Sequence, residues 1–450
     1  MHSLAARDRR DARRTVSGLA VPLFVAEFLN FAVQLGIIAV LGRMGGDTVY
    51  IRSLYQPVSL IVLALSVGFA VCNQAAAAIS KGAGRPRDVM SNSASLARVW
   101  LGLGAALYLL LAVAAPSLTG LLHVDAELRG TFTSFLRWTC AASLLAVGVE
   151  LCASGLRGYG YVRQATVLVV CTASVRIGLV AGLGLGAGIG IAAVPVAEAT
   201  AGLTGLITGL ALVRRTELWH PPALRTWRPE VLTDLRRIGV PIATSLVVIS
   251  AYNLAVIGVL GRYGENAVAG FTVASTLQSL VLLPGTVLGT ATAITINQQR
   301  GAGEWLRIRS SMRGGIEVAA VTYVAVAVLV WSVHDPLARL IGGDAGVAAA
   351  AGSYLGAIAL TYAVQGPVLT ALTVMEETGG GFRAIVLNVI YFGLIVAVSA
   401  WAAHAVGSAE GFYEAVAYCN LIGVSVPLIA VGHIRRLSAL GGAQAAAATG

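Results

Sequence analysis

Long apolar runs, separated by short polar or Gly/Pro-rich stretches, repeat along the whole chain. A helix needs about 20 apolar residues to cross a bilayer, and most of these runs reach that length. The pattern predicts twelve membrane-spanning helices. Their ranges are 18–41, 54–78, 95–120, 131–155, 164–184, 188–212, 237–260, 268–296, 314–333, 350–374, 384–405 and 412–433.

The composition agrees with a membrane protein. Of the 450 residues, 57% are apolar and only 12% are charged, whereas soluble domains are about 25% charged. This high apolar and low charged content excludes an ordinary soluble enzyme. The five cysteines all fall in apolar runs and lack the spacing of metal ligands or disulfides. The histidines show no metal or catalytic spacing either, so neither a metal site nor a cofactor is expected.

Basic residues predict the orientation of the helices. The net charge is +10, but the arginines lie in short loops, where the positive-inside rule explains them better than nucleic-acid binding does. With the N-terminus inside, 24 of the 31 basic residues, Arg157 among them, fall on the inner segments and six on the outer ones. Both termini are therefore expected in the cytoplasm, with the protein in the inner or plasma membrane.

The two halves of the sequence resemble each other at an offset of 219 residues. Residues 37–45 (IIAVLGRMG) match residues 256–264 (VIGVLGRYG) at six of nine positions, and Pro22 matches Pro241. At an offset of 220, Gly160 matches Gly380. An even number of spans per half makes the halves parallel repeats, as in secondary transporters, whose substrate sites lie at the repeat interface near the midplane.

The repeat also predicts the domain organisation, which has five parts. They are a basic cytoplasmic tail (1–16), an N-terminal six-helix lobe (17–212), a cytoplasmic linker (213–236), a C-terminal six-helix lobe (237–434) and a C-terminal tail (435–450).

These features resemble the MATE (multidrug and toxic compound extrusion) family. The resemblance rests on the paired prolines, the glycines Gly42 and Gly261 that end the first span of each half, and Arg157-Gly158-Tyr159-Gly160 after the fourth span. The counterpart of that motif after the tenth span is degenerate, at 377–380. The resemblance implies an all-α, V-shaped protein of two pseudo-symmetric lobes, a monomer that exports organic, often cationic, compounds by antiport.

The acidic residues that couple relatives to an ion gradient are missing from their usual positions. Many relatives carry an acid at the position of Ile37, and the proton-coupled branch has an Asn and an Asp where this chain has Arg176 and Val180. Span seven has no acid, and span ten has only Glu376 and Glu377 at its inner end. Any coupling must therefore use other residues.

Charged residues deep in a span are candidates for coupling because each costs about 2.5–3.5 kcal/mol at the bilayer centre. Glu27 in span one and Glu198 in span six are predicted to bind the coupling proton, with Arg176 as the partner of whichever carboxylate is deprotonated. The alternative is a permanent Arg176–Glu ion pair that stabilises the lobe. Glu150 lies nearer the inner surface, where a helix contact is the simpler role.

Polar and aromatic side chains within the spans are the substrate-binding candidates. On span one, Asn30 and Gln34 form a polar stripe with Glu27. The other candidates are Tyr252, Asn253, Gln278, Tyr362, Gln365 and Asn388. For each of them the alternative is an interhelical hydrogen bond.

The sequence thus predicts a proton-coupled exporter of small organic compounds, which needs no cofactor. A sodium-coupled antiporter and a flippase for a lipid-linked saccharide or peptide are the alternatives. A flippase would need a more basic cleft, and Arg176 is the one basic residue near the middle of a span.

Overall fold

The computed structural model describes residues 2–121, 124–342 and 344–449, and nearly all of them are helical. The predicted all-α fold is confirmed. Its helices are α1 His2–Arg43, α2 Gly46–Leu54, α3 Gln56–Gly82, α4 Pro86–Leu121, α5 Arg129–Tyr159, α6 Val162–Ala181, α7 Ala193–Arg214, α8 Glu230–Asp234, α9 Val240–Leu260, α10 Glu265–Gly301, α11 Arg307–Gly342, α12 Ala345–Ile358, α13 Tyr362–Met375, α14 Gly381–Val406, α15 Ala409–Ile422 and α16 Ser425–Thr449.

Twelve crossings follow from the lengths of these helices. Within the described ranges, 11 helical stretches are long and apolar enough to cross a membrane, and one of them, Ala345–Val406, has 62 residues. At about 1.5 Å per residue that stretch would be about 90 Å long, three times the hydrocarbon thickness. A π-helical turn at Glu376–Gly380, where Gly379 has φ 92°, interrupts it. It therefore supplies two crossings, as the sequence predicted.

Backbone conformation supports the internal repeat independently of residue identity. Among the described glycines with positive φ, four pairs are 219 residues apart: Gly45/Gly264, Gly84/Gly303, Gly160/Gly379 and Gly188/Gly407. Each marks a chain reversal or helix end at which a side chain would be strained. The chain therefore turns with the same local geometry at equivalent points of both halves.

One of these pairs corrects the sequence alignment. Gly160 has φ 101° and ψ 4°, and Gly379 has φ 92° and ψ 12°. The structural counterpart of Gly160 is thus Gly379, not Gly380 as the sequence suggested. The offset of 219 holds through this turn, so the counterpart of Arg157 is Glu376.

By packing, the chain forms two compact units. One contains the residues up to Phe24 together with Pro241 and everything after it, and the other is Val25–Val240. The first turns of α1 therefore belong to the unit of the C-terminal helices, where Arg13 Nε donates to Glu317 (2.8 Å). We call Val25–Val240 the N-terminal unit and the rest the C-terminal unit. The lobe bounds taken from the repeat stay a prediction.

In the N-terminal unit, α5 is the central helix and contacts α3, α4, α6 and α7. The segment after α7 is held against α4, since Arg228 pairs with Asp88 at 2.6 Å and Arg98 donates to the Thr226 carbonyl at 3.1 Å. In the C-terminal unit, α10 to α13 pack around Tyr323, Tyr354 and Tyr362.

Candidate functional site

Three charged residues form a cluster in the N-terminal unit. Arg157 on α5 lies between Glu27 on α1 and Glu150, two turns back on α5. Its Nη1 is 3.2 Å from Glu27 Oε1, and its Nη2 is 3.2 Å from Glu150 Oε2. The Arg157 side chain is only 12% exposed, while those of Glu27 and Glu150 are 40% and 38% exposed. We call these three residues the triad.

Close packing of the α5 C-terminus sets the position of Arg157. The helix continues to Tyr159 and ends at Gly160, which is in the left-handed region. Gly158 lies so close to α3 that a Cβ there would be 2.2 Å from the carbonyl oxygen of Gln74. Since side chains of a helix lean toward its N-terminus, the Arg157 guanidinium reaches back along α5 to Glu150.

The sequence pattern placed Arg157 among the loop charges and did not predict its contacts with Glu27 and Glu150. In the structure it lies in the last turn of α5, inside a helical stretch long enough to cross the membrane. A signal was available, because residues seven apart share one face of a helix and Glu150 and Arg157 have that spacing. The contact with Glu27 carries no such signal, since the two residues are on different helices.

A second ion pair joins α6 and α7 in the same unit. Arg176 Nη1 is 3.4 Å from Glu198 Oε1, and the two side chains are 16% and 28% exposed. In this structure Arg176 pairs with Glu198 and not with Glu27, and the expectation that it serves whichever of the two carboxylates is deprotonated stays a prediction. Glu27 lies beside Arg157, because α5 rather than α6 presents a guanidinium to this part of α1.

Arg157 and Arg176 each have one N–H donor that makes no hydrogen bond to the described residues. Arg157 Nε and Arg176 Nε are buried and have no hydrogen-bond partner among the described residues. A guanidinium has five N–H donors in a fixed plane, and a buried donor without an acceptor costs about 1–3 kcal/mol. An acceptor brought by water or by a transported molecule would therefore be stabilised there.

Ile37 and Val180, at the positions where the family resemblance implies acids, are apolar and belong to the same part of the core. Both are buried, at 6% and 1% exposure, in one hydrophobic cluster that also contains Leu41 and Ala197. A cation would find no oxygen ligands from these two side chains. The candidate coupling groups of this unit, the triad and the Arg176–Glu198 pair, are formed by other residues.

The predicted substrate-binding residues fall in both units. In the N-terminal unit Asn30 is half-buried and Gln34 is exposed on α1. In the C-terminal unit Asn253 is exposed, and the half-buried Tyr252 ring lies 4.7 Å from the Phe392 ring, centroid to centroid. These side chains remain accessible enough to meet a ligand.

The other four candidates take part in packing between helices. Gln278 accepts a 3.5 Å hydrogen bond from Tyr354, and the buried Asn388 donates to Ser245 at 3.2 Å. Tyr362 is completely buried. The Tyr362 hydroxyl and the Gln365 Oε1 are buried without a hydrogen-bond partner in the described part of the chain, so these two atoms remain available to an additional polar group.

The described residues contain no group of three or more His, Cys, Asp or Glu side chains placed to hold a metal ion. The charged candidates Glu27, Glu198 and Arg176 form ion pairs within the N-terminal unit, and the substrate-binding candidates of the C-terminal unit are neutral polar and aromatic side chains.

Comparison with known proteins identifies the class. The model of the MatE family matches residues 22–199 and 241–402, more than two thirds of the chain. Each matched segment begins at one of the paired prolines, Pro22 and Pro241. The chain belongs to the MatE family, whose members are transporters and not enzymes.

Individual relatives are distant. A protein named "Probable multidrug resistance protein YpnP" from Bacillus subtilis is 25% identical over 174 residues, which is 39% of each chain. A "Probable multidrug resistance protein NorM" from Aromatoleum aromaticum is 27% identical over 215 residues, 45% of this chain and 44% of the relative. The chain thus aligns with less than half the length of each of these two curated relatives.

Among solved structures, the MATE transporter VcmN of Vibrio cholerae in the bent form matches with a TM-score of 0.88. The sequences are 17% identical, and the match covers 97% of this chain and 99% of that one. A MOP superfamily transporter from Pyrococcus furiosus matches with a TM-score of 0.84 at 18% identity, covering 96% of each chain. Both likenesses show that the fold extends over nearly the whole chain.

Proposed function

We propose that the protein is a proton-coupled antiporter that exports small organic compounds, cationic or amphiphilic, across the cytoplasmic membrane. The triad is the observation that carries this proposal. Two carboxylates share one arginine there, so the group keeps a formal charge of −1 when both glutamates are ionised. A partly buried group with unbalanced negative charge attracts either a proton or an organic cation.

Competition for that charge is the coupling mechanism. When a proton binds Glu27, the remaining Arg157–Glu150 pair is neutral and an organic cation is no longer attracted. When the proton leaves, the negative charge returns and favours the cation. Proton and substrate therefore weaken each other's binding, and thermodynamic linkage makes the effect reciprocal.

The Arg176–Glu198 pair is proposed as a second protonatable group. This pair has one carboxylate and one guanidinium, so its net charge is zero when both side chains are ionised. Protonation of Glu198 would leave the positive charge of Arg176 uncompensated. That state would repel a cationic substrate. Glu27 and Glu198 would thus act in the same direction.

Substrate contacts are proposed at the polar and aromatic groups of both units. Asn30 and Gln34 lie on the same helix as Glu27, and the exposed Asn253 follows Tyr252 in α9. Aromatic faces bind organic cations through their negative electrostatic potential. The printed names of the relatives, multidrug resistance proteins, support an organic substrate.

The distribution of basic residues supports an orientation with both termini in the cytoplasm, because 24 of 31 lie on segments assigned to that side. Export then means transport from that side outward. Everted vesicles consequently accumulate substrate, which sets the design of the test.

The test measures uptake of a fluorescent organic cation into everted vesicles under an imposed pH gradient. We expect uptake by the wild type and a loss of at least about tenfold in Glu27→Gln, because an amide keeps the shape of the side chain but cannot exchange a proton. Glu198→Gln is expected to show a smaller loss, since it leaves the triad intact. Uptake driven by a sodium gradient at constant pH would instead support sodium coupling.

Glu304→Gln is the matched control, since Glu304 is an exposed glutamate that also pairs with an arginine, Arg307, at 3.1 Å. It should transport like the wild type. Proton-driven uptake with unchanged pH dependence in both Glu27→Gln and Glu198→Gln would refute the assignment of the coupling residues.

A further inference from the structure

A glutamate in the C-terminal unit takes the place that Arg157 has in the N-terminal unit. Glu376 is the counterpart of Arg157 at the 219-residue offset that the backbone of Gly160 and Gly379 establishes. It opens the π-helical turn Glu376–Gly380 between α13 and α14. π-Helical turns inside α-helices are frequently found at functional sites. The repeat therefore places charges of opposite sign at equivalent positions.

Glu376, at the end of α13, is linked by hydrogen bonds to a neutral side chain on α9 and, through it, to one on α14. Ser245 on α9 donates its hydroxyl to Glu376 Oε1 at 2.7 Å. Asn388 on α14 donates its amide to the same hydroxyl oxygen at 3.2 Å. Ser245 and Asn388 are both buried. The carboxyl thus accepts a hydrogen bond from a neutral serine, which cannot compensate its charge.

The charged residues near this turn make hydrogen bonds to groups other than Glu376. Glu377, the next residue, is buried and accepts from Thr290 on α10 at 2.7 Å. Arg300, at the end of α10, donates to the Thr378 carbonyl at 3.3 Å. Arg383 on α14 lies 3.3 Å from His433 on α16.

No ion pair within the described ranges includes Glu376. The carboxylates of the N-terminal unit differ in this respect, because Glu27, Glu150 and Glu198 each have an arginine nitrogen within 3.4 Å.

We propose that Glu376 binds and releases a proton during transport, as a second coupling group in the C-terminal unit. This inference rests on the proposed function for its role in transport. An ionised carboxylate that is partly removed from water without a cation beside it is destabilised by the loss of its hydration, and a bound proton removes that cost. The step forms one O–H bond on the carboxylate and breaks one in a water-borne acid, with no other change in bonding.

The hydrogen-bond directions favour a proton over a sodium ion. A sodium ion needs several oxygen lone pairs directed at it. The Ser245 oxygen already accepts from Asn388 and points its own hydrogen at Glu376. Asn388 presents its N–H₂ group to this chain, not its carbonyl oxygen. Among these three groups only the Glu376 carboxyl can bind a cation. A proton needs just one of its oxygens, whereas a sodium ion would need further oxygen ligands.

The direct test is infrared difference spectroscopy of the purified full-length protein during a change of pH. The C=O stretch of a protonated carboxyl reports its titration. We expect a band that disappears in Glu376→Gln, stays in Glu304→Gln, and shifts in frequency in Ser245→Ala, which removes the hydrogen bond to Glu376 Oε1. If Glu376→Gln has the wild-type bands, Glu376 binds no exchangeable proton and the inference is wrong.

A second measurement separates coupling from structure. In reconstituted vesicles without a gradient, exchange of labelled for unlabelled substrate by Glu376→Gln should stay within about twofold of wild type, while accumulation driven by a pH gradient falls at least about fivefold. Equal losses of both would show a structural role and overturn the proposal. If the wild type has no proton-driven uptake, the proposed function fails, but the infrared result still decides whether Glu376 binds a proton.

Discussion

Replacing Arg157 with methionine is expected to abolish proton-driven uptake and to lower the free energy of unfolding by about 2 kcal/mol. The substitution leaves Glu27 and Glu150 facing each other without the guanidinium that now lies 3.2 Å from each. Removing one partner of a fully buried ion pair costs about 3–5 kcal/mol, and partial access of water to both carboxylates reduces that figure. Uptake in vesicles and thermal unfolding in detergent measure the two effects.

A second substitution distinguishes lost charge from lost packing. Arg157→Met combined with Glu27→Gln leaves only Glu150 ionised, so it should recover most of the lost stability but no proton coupling. Arg87→Met, which removes an exposed arginine on α4, is the control and should behave as wild type. If the double variant is as unstable as the single one, the triad does not act as an electrostatic unit.

Replacing Gly158 with alanine is expected to destabilise the fold by about 3 kcal/mol, at the upper end of the usual cost of overpacking. The added Cβ would lie 2.2 Å from the Gln74 carbonyl oxygen and 3.0 Å from the Ala77 Cβ. The first of these atoms is helix backbone and cannot move aside, so α5 must shift away from α3. The amount of folded protein in membranes and its unfolding temperature in detergent should both decrease.

The shift should also displace Arg157, the adjacent residue, and thereby weaken coupling in whatever protein remains folded. Gly178→Ala is the matched control, because Gly178 lies within α6 and a Cβ there would meet nothing within 4 Å. That variant should be within about 1 kcal/mol of wild type. Similar stability of the two variants would mean that the contact between α5 and α3 is not tight.

The twelve crossings were predictable because a bilayer has a fixed thickness. Every segment that crosses it must be a long apolar helix, so the pattern of the sequence follows directly from the solvent. The chain near Glu376 shows the limit of this reasoning. The break between α13 and α14 is a π-helical turn inside one continuous helical stretch, and the sequence reveals it only through a short run of polar residues and glycines.

The internal repeat was visible in the sequence where both halves kept the same residues. Around Gly160 they did not, and the offset there was misread by one residue. The backbone corrected it, since a left-handed conformation persists after the flanking side chains have changed. That correction equates Arg157 with Glu376.

The sequence by itself determined the class of this protein, a helical membrane transporter of two repeated halves, and it showed that Ile37 and Val180 are apolar, so the proposed coupling charges had to be sought elsewhere. The tertiary structure decided which charges meet. Glu27 pairs with Arg157 and not with Arg176, because backbone contacts such as that of Gly158 with Gln74 set the position of α5 and direct its last turn toward α1. Partners on different helices have no fixed spacing along the chain, so only packing brings them together.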